Sequence, residues 1–355
     1  MTTMDQSAGA GVFAFRVART LNSGFTAMMI SVGHRTGLFD VMAALPPSTS
    51  AQIATASGLS ERYVREWLAA MVTAHVIDHD ERTVTYFLPI EYAAVLARGA
   101  GANNLAPAAQ LFTLLAQVED LVVASFQGGG GVRPQAYEPL RQAMASEKRE
   151  LIDESYVETL LDLMPGMRTR LDLGATVLDA GCGDATVLLT MAKMFPHSLF
   201  RGYDLAPDAI RRATEQRNRM GLGNVEFATG DVALLDEPRA YDLVLAMESL
   251  HEMSFPRVVL RRIVASLKRD GALLLQEVSV SSHLAHNVDH PFAPMLYAMS
   301  CLHAVPVALS DEGEALGMMW GRERAAQLLA EAGFRHTSFQ SVAVDPLSYF
   351  CVATK

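Results

Sequence analysis

The most informative segment of this chain reads Val177-Leu178-Asp179-Ala180-Gly181-Cys182-Gly183-Asp184-Ala185. It predicts a buried strand that ends in an acid, then a Gly-x-Gly turn, and then a helix. Gly181 and Gly183 allow the backbone to turn sharply and to approach a ligand at the carboxyl end of the strand, where open α/β sheets bind ligands. The stretch therefore predicts a ligand site on a parallel sheet.

Strands and helices alternate along the residues that follow. The predicted strands are Thr176–Asp179, Leu199–Asp204, Val225–Thr229, Tyr241–Met247 and Ala272–Val280, and the predicted helices are Ala185–Phe195, Pro207–Met220 and Pro256–Lys268. A last helix, Arg322–Ala332, precedes two closing strands, Thr337–Val344 and Ser348–Ala353. The predicted fold class is α/β, a Rossmann-like doubly wound sheet with a closing antiparallel strand pair, joined to an N-terminal winged-helix domain.

The winged helix is predicted from the first hundred residues. Apolar residues recur at helical spacing over residues 12–45, and Ser48 or Ser50 is then expected to cap a short helix. A second short helix and the strand Thr83–Leu88 complete the motif. The predicted domains are a winged-helix and dimerisation domain at 1–100, a helical connector with a glycine-rich loop at 101–170, and the ligand-binding α/β domain at 171–355. The loop 127–132 is either flexible or a hinge or cover over the site.

Composition narrows the classes of function. The net charge of −10 disfavours nucleic acid as a partner, and residues 1–100 hold seven Arg, no Lys and eight acids. A cofactor-sensing DNA regulator is therefore the disfavoured non-enzyme alternative. Three widely spaced cysteines predict no disulfide framework, and no signal peptide or apolar run of roughly 18 residues is visible. We expect a cytoplasmic chain with no membrane partner.

The acids around the glycine turn indicate the kind of ligand. A nicotinamide dehydrogenase would carry Gly at the sixth position of the turn, where this chain has Thr186. Asp179 and Asp184 suit a ligand with an ammonium and a sulfonium better than a pyrophosphate. Asp204 and Asp231 end the next two strands, where they can meet ribose hydroxyls and an adenine amino group.

Four motifs in this order resemble those of the class I methyltransferases: Asp179-x-Gly181-x-Gly183, Asp204, Gly230-Asp231 and Tyr241-Asp242-Leu243-Val244. The resemblance covers residues 170–355. It implies that S-adenosylmethionine lies over Gly181–Gly183, with Asp204 on its ribose and Asp231 on its adenine. Met247, at the end of the fourth strand, is a further candidate cofactor contact.

The methyl acceptor is expected near Met247-Glu248-Ser249-Leu250-His251-Glu252-Met253. His251 is a candidate general base or metal ligand, or a hydrogen-bonded histidine at a strand end. An inserted apolar helix over 292–307 is expected to form a wall of the acceptor site, and His283, His286 and His290 precede it. The Met318-Met319-Trp320 run is a candidate aromatic lid.

The whole chain resembles bacterial winged-helix methyltransferases and, more distantly, the 2-oxo acid C-methyltransferases of the phenylpyruvate type. That resemblance implies a mononuclear Fe, Zn or Co ion held by His251 and His303, and methylation of the β carbon of a 2-oxo acid through a metal-stabilised enolate. Glu248 or Glu252 would be a third ligand or the base. The family has Asp where this chain has Glu252, which puts the metal site in doubt.

Two further expectations follow. Metal-free O- or N-methylation of a small natural product, with His251 as general base, is the alternative function. The apolar first helix ahead of a winged helix predicts a homodimer, as in many similar enzymes.

Overall fold

The computed structural model describes residues 3–355, and describes only the backbone of residues 3–9 and Ala102. The chain divides into two compact units, residues 1–117 and 118–355. The predicted connector at 101–170 is therefore shared between them, and most of it lies in the second unit.

The first unit is mainly helical. Its helices are α1 (Thr3–Thr36), α2 (Leu38–Ala44), α3 (Ser50–Ser57), α4 (Glu61–Thr73), α5 (Ile90–Leu96) and α6 (Gln110–Ala116), with 3₁₀ turns at Arg98–Asn103 and Pro107–Ala109. Its strands are β1 (Asp78–Asp80) and β2 (Thr85–Phe87), which pair antiparallel. The pair of helices followed by a hairpin confirms the predicted winged helix.

The cap of α3 differs from the prediction. Thr49 caps the helix, because its side chain accepts a hydrogen bond from the backbone of Gln52 while the Gln52 side chain accepts one from the Thr49 backbone. Ser48 instead pairs with Tyr86 through backbone hydrogen bonds of 3.0 and 2.8 Å. The serine predicted as a cap thus joins the wing to the helices.

The second unit begins with helices that precede the sheet. Its helices are α7 (Glu119–Gly128), α8 (Glu138–Leu151), α9 (Glu154–Asp162), α10 (Met167–Leu173), α11 (Thr186–Met194), α12 (Pro207–Met220), α13 (Pro256–Ser266), α14 (Leu284–Asn287), α15 (Ala293–Met299), α16 (Val305–Leu309) and α17 (Gly321–Ala332). Short 3₁₀ turns lie at Pro134–Tyr137, Val232–Leu234 and Leu250–Glu252, and a π-helical turn at Ser300–Ala304.

The seven strands of the second unit form one sheet. They are β3 (Thr176–Ala180), β4 (Leu199–Asp204), β5 (Val225–Thr229), β6 (Tyr241–Met247), β7 (Leu267–Val278), β8 (His336–Val342) and β9 (Asp345–Thr354). Their order is β5-β4-β3-β6-β7-β9-β8, with β3 to β7 parallel and β9 antiparallel to both β7 and β8. This topology confirms the predicted doubly wound sheet with a closing antiparallel pair.

Alternate residues along the central strands pack on opposite faces of this sheet. Val177 and Leu243 belong to one buried cluster, which includes side chains of α9, α10 and α11. Leu178 and Val244 belong to another, which includes side chains of α13 and α17. Because both faces are covered, the strands read as continuous apolar runs.

The glycine-rich segment is anchored at one end. Gly128 ends α7, Gly129 and Gly130 have positive φ, and a side chain at Gly131 would lie 2.1 Å from the Pro306 carbonyl oxygen. The backbone of Val132 also donates to that oxygen at 2.9 Å. The segment therefore packs directly on α16 at Gly131.

The run Ala293–Asp311, which contains α15 and α16, is long and apolar enough to cross a membrane by composition alone. Buried core helices meet the same criterion, and 44% of this helical window is buried within the structure. Ala304 and Ala308 are fully buried. Part of this run therefore belongs to the core of the second unit.

Candidate cofactor and acceptor site

The glycine turn after β3 has the shape and charge that a cationic cofactor needs. Gly181 and Gly183 have φ of +78° and +52°, and a side chain at Gly183 would meet no atom within 4 Å. Asp179 is buried, and its Oδ1 has no hydrogen-bond partner within the described part of the chain. Burial and the nearby Asp204 raise the pKa of Asp179 to about 7. A buried, unpaired carboxylate oxygen beside an open turn fits the ammonium of S-adenosylmethionine.

Asp204 and Asp231 lie where the sequence predicts them. Asp204 ends β4 and accepts hydrogen bonds of 2.8 Å from the backbone of Gly183 and of Ala206. Asp231 follows β5 and accepts one from the backbone of Ala233 at 2.8 Å. Both carboxylates therefore lie at the edge formed by the carboxyl ends of the parallel strands. Their contacts to ribose and adenine stay predictions.

Asp184 has a different environment from the one its sequence position suggests. Arg149 approaches it at 2.8 Å and Arg212 at 2.8 to 3.1 Å. Its charge is balanced within the protein, so it braces the glycine turn. Asp179 is left as the acid available to a ligand cation.

A histidine pair is held beyond the end of β6. The Nδ1 atom of His251 lies 2.6 Å from Oε2 of Glu277, which is fully buried on β7. Its Nε2 atom lies 3.7 Å from Oε1 of Glu252. Nδ1 of His303 lies 3.3 Å from that same oxygen. The structure thus brings together the two histidines that the sequence analysis selected, with Glu252 between them.

The carboxylates set the charge of this cluster. Burial disfavours the imidazolium of His251, but Glu277 and Glu252 outweigh burial and raise the pKa of His251 to about 10. Burial likewise opposes ionisation of Glu252, but His303 and His251 lower its pKa to about 2. Burial lowers the pKa of His303 despite Glu252. At neutral pH His251 is therefore protonated, Glu252 ionised and His303 neutral.

The predicted metal site does not fit this arrangement. Among the residues that the structure describes, no three His, Cys, Asp or Glu side chains are grouped so as to hold a metal ion. Nε2 of His251 and Nδ1 of His303 both face Oε1 of Glu252, which balances the charge of His251.

Other predicted residues have varied positions. Met247 ends β6 half-buried, and Glu248 follows it with φ of +51°, a conformation that favours glycine. Trp320 is buried in the core cluster of β7 and α17, so it is not a lid. His283 and His286 are exposed around α14, with rings 5.5 Å apart.

Sequence reasoning missed two residues of the site. Glu277 is an acid inside the apolar strand β7. Because a buried Glu needs a partner, its position in an apolar strand is the feature of the sequence that indicates a site residue. Lys148 lies on α8, and its Nζ is 2.7 Å from Oε2 of Glu248. No spacing relates it to the glycine turn.

Two domain models match this chain. Residues 24–98 match an Rv2258c-like winged helix-turn-helix domain, and residues 171–333 match a methyltransferase domain. The chain therefore contains a methyltransferase domain, preceded by an Rv2258c-like winged helix-turn-helix domain.

Sequence relatives match only part of the chain. A malonyl-(acyl-carrier protein) O-methyltransferase of Acetivibrio thermocellus is 30% identical over 34% of this chain and 41% of that protein. An (S)-tetrahydroprotoberberine N-methyltransferase of Eschscholzia californica is 24% identical over 32% of each. The match thus spans less than half the length of these relatives.

Solved structures match along nearly the whole chain. An O-methyltransferase family protein from Burkholderia thailandensis superposes with a TM-score of 0.68 at 15% identity, over 96% of this chain and 98% of that one. Human N-acetylserotonin methyltransferase in complex with S-adenosylmethionine gives 0.62 at 17% identity, over 96% and 97%. At these identities the likeness shows the fold.

Proposed function

We propose that this protein transfers the methyl group of S-adenosylmethionine to a phenolic hydroxyl of a small molecule, without a metal and with His251 as general base. The observation that carries the proposal is the buried 2.6 Å contact between His251 Nδ1 and Glu277. This contact orients His251 but would also suit a metal ligand. Metal-free methylation is favoured over C-methylation of a 2-oxo acid because Nε2 of His251 and Nδ1 of His303 both face Oε1 of Glu252. The O- and N-methyltransferases among the relatives support the same choice.

Glu277 gives His251 the orientation that a base needs. By accepting a hydrogen bond from Nδ1, Glu277 leaves Nε2 as the nitrogen that exchanges a proton with the acceptor. A carboxylate behind an imidazole also stabilises the imidazolium that forms when the acceptor loses its proton. Glu252 adds a second negative charge beside Nε2.

The basicity of His251 favours phenols over alcohols. A phenol has a pKa of about 10, close to the pKa of about 10 for His251. Matched values allow the proton to be shared between them, whereas an aliphatic hydroxyl is about as weak an acid as water, with a pKa of about 16. The complex holds the same single proton whether an ionised phenolate binds to protonated His251 or a neutral phenol binds to neutral His251.

The bonds balance in a single displacement. When bound, S-adenosylmethionine supplies an electrophilic methyl group on its sulfonium. The acceptor oxygen passes its proton to Nε2 of His251 and forms a bond to the methyl carbon as the carbon–sulfur bond breaks. The protein's contribution is to hold the proton, orient the acceptor and balance charge.

Label location tests the proposal. The protein is incubated with trideuteromethyl S-adenosylmethionine and a panel of phenols, aromatic amines and 2-oxo acids, and each product is analysed by mass spectrometry and NMR. The proposal predicts label on the oxygen of a phenol. Label on nitrogen or carbon, with none on oxygen, would overturn it.

We also propose that the protein is a homodimer assembled through α1. Apolar side chains along this helix are 60% to 68% exposed, namely Val12, Phe13, Phe15, Leu21 and Phe25. Several large apolar groups on one exposed helix form a surface that a monomer rarely presents to water.

A further inference from the structure

The open space beside Gly183, here called the cleft, is bordered by helix α8, which forms ion pairs with Asp184 and Glu248. This helix lies outside the matched methyltransferase domain. Lys148 on α8 pairs with Glu248 at 2.7 Å. Their side chains keep 40% and 25% of their surface exposed, so solvent or a ligand can reach the pair. Lys148 also stabilises the ionised form of Asp179 and thus lies within electrostatic range of it.

Ion pairs fix α8 against the glycine turn. Arg149 near the end of α8 binds Asp184 of the turn, and Glu138 at its start pairs with Arg212 of α12. Arg212 also binds Asp184, which closes the network. Lys148 is therefore presented to the cleft by a helix held at both ends.

Lys148 is a cation among acidic side chains, where it could pair with a ligand carboxylate. The amino-acid end of S-adenosylmethionine carries an ammonium and a carboxylate on one carbon, and Asp179 suits the ammonium. The field around Lys148 is otherwise acidic, because Glu248, Glu252 and Asp345 all act to stabilise its charge. A ligand carboxylate would be repelled there unless a cation paired with it.

We propose that Lys148 binds the carboxylate of S-adenosylmethionine. The ammonium of Lys148 has three donors, and Glu248 occupies one, so two remain for a carboxylate. Asp179 then pairs with the ammonium of the cofactor, and Lys148 pairs with its carboxylate. This inference rests on the proposed function, since it assumes that the cleft binds this cofactor.

Binding of two ligands tests this assignment. Isothermal titration calorimetry measures the affinity of wild type and K148M for S-adenosylmethionine and for its decarboxylated analogue. K148M should weaken S-adenosylmethionine binding by about 10- to 100-fold, the value of a charged hydrogen bond. Both titrations are run at about pH 8.5, roughly 1.5 units above the pKa of about 7 of Asp179, so that this carboxylate is ionised with or without Lys148. The affinity of K148M for the decarboxylated analogue should then change less than about threefold, since a partly exposed ion pair is worth little.

Controls separate binding from folding. K193M removes a matched Lys–Glu pair, Lys193 with Glu154 at 2.8 Å, and should leave both affinities unchanged. K148M/E248Q removes the carboxylate left unpaired in K148M and should show the same discrimination. K148R should restore most of the affinity.

The binding results distinguish failure of the Lys148 assignment from failure of the proposed function. An equal loss for both ligands, or no loss for either, would overturn the role of Lys148 while leaving the proposed function standing. If wild type binds neither ligand, the proposed function fails and the assignment fails with it.

Discussion

His251 Nδ1 lies 2.6 Å from Oε2 of Glu277, a carboxylate that no solvent reaches. The contact joins the turn after β6 to strand β7. The strands β6 and β7 are neighbours in the sheet and pair in parallel. The sheet thereby fixes which nitrogen of His251 faces the acceptor. A base built in this way depends on the buried carboxylate as much as on the imidazole.

Removing the charge of Glu277 should change both the rate and its pH dependence. Glu277 raises the pKa of His251, so E277Q should lower that pKa. The neutral imidazole forms above its pKa, so the rising limb of kcat/KM should move to lower pH. The maximal rate should fall by roughly 10²-fold or more, because Gln does not hold the same tautomer.

Steady-state kinetics across pH check this prediction. The matched control is E314Q, which removes an exposed acid paired with Arg257 at 2.8 Å and should leave the profile unchanged. A limb that stays in place in E277Q would contradict the link between Glu277 and His251.

Cofactor affinity should depend on pH through Asp179. Its pKa is raised to about 7, so its charge is present above that pH and is lost as the pH falls. Since an ammonium pairs with the ionised form, affinity for S-adenosylmethionine should fall by about tenfold per pH unit below 7. Titration calorimetry from pH 5.5 to 8.5, chosen to span that value by roughly 1.5 units, measures the slope.

The variant D179N supplies the control for that titration. It should bind the cofactor more weakly at high pH, and its affinity should vary little across the same range. Unchanged pH dependence in D179N would show that another group is responsible.

Charge placed on α1 should separate the proposed dimer. Leu21→Glu with Phe25→Glu puts two acids on a surface that carries exposed apolar side chains, which should convert dimer to monomer in light scattering. Tyr63→Glu, at an exposed site on α4, should leave the dimer intact. A wild-type monomer at micromolar concentration would refute the proposal.

The sequence predicts the sheet well because the central strands β3 and β6 are buried apolar runs, and because β3, β4 and β5 each lead into a glycine turn or an acid. β4, β5 and β6 begin and end where the pattern places them. β7 begins earlier, at Leu267, because Leu267 pairs with Tyr241 before the register shifts. The turn between β8 and β9 lies before Asp345, which itself belongs to β9.

The site was less predictable because its contacts join distant parts of the chain. His251 and His303 were selected and do lie together, but ring orientation decides their chemistry, and the sequence does not encode it directly. Glu277 and Lys148 meet their partners across 26 and 100 residues. Glu277 reaches His251 because β7 pairs with β6 in the sheet. Lys148 reaches Glu248 because α8 is held against the glycine turn by ion pairs.

The most direct test of metal-free catalysis by His251 compares wild type with H251Q. Both are treated with chelator, shown by elemental analysis to be free of metal, and assayed for transfer of labelled methyl to a phenolic oxygen. We predict full activity for metal-free wild type and a loss of about 10²- to 10⁴-fold in H251Q, the usual contribution of a general base. Activity that requires added metal, or an H251Q rate within about threefold of wild type, would rule out metal-free catalysis by His251 as general base.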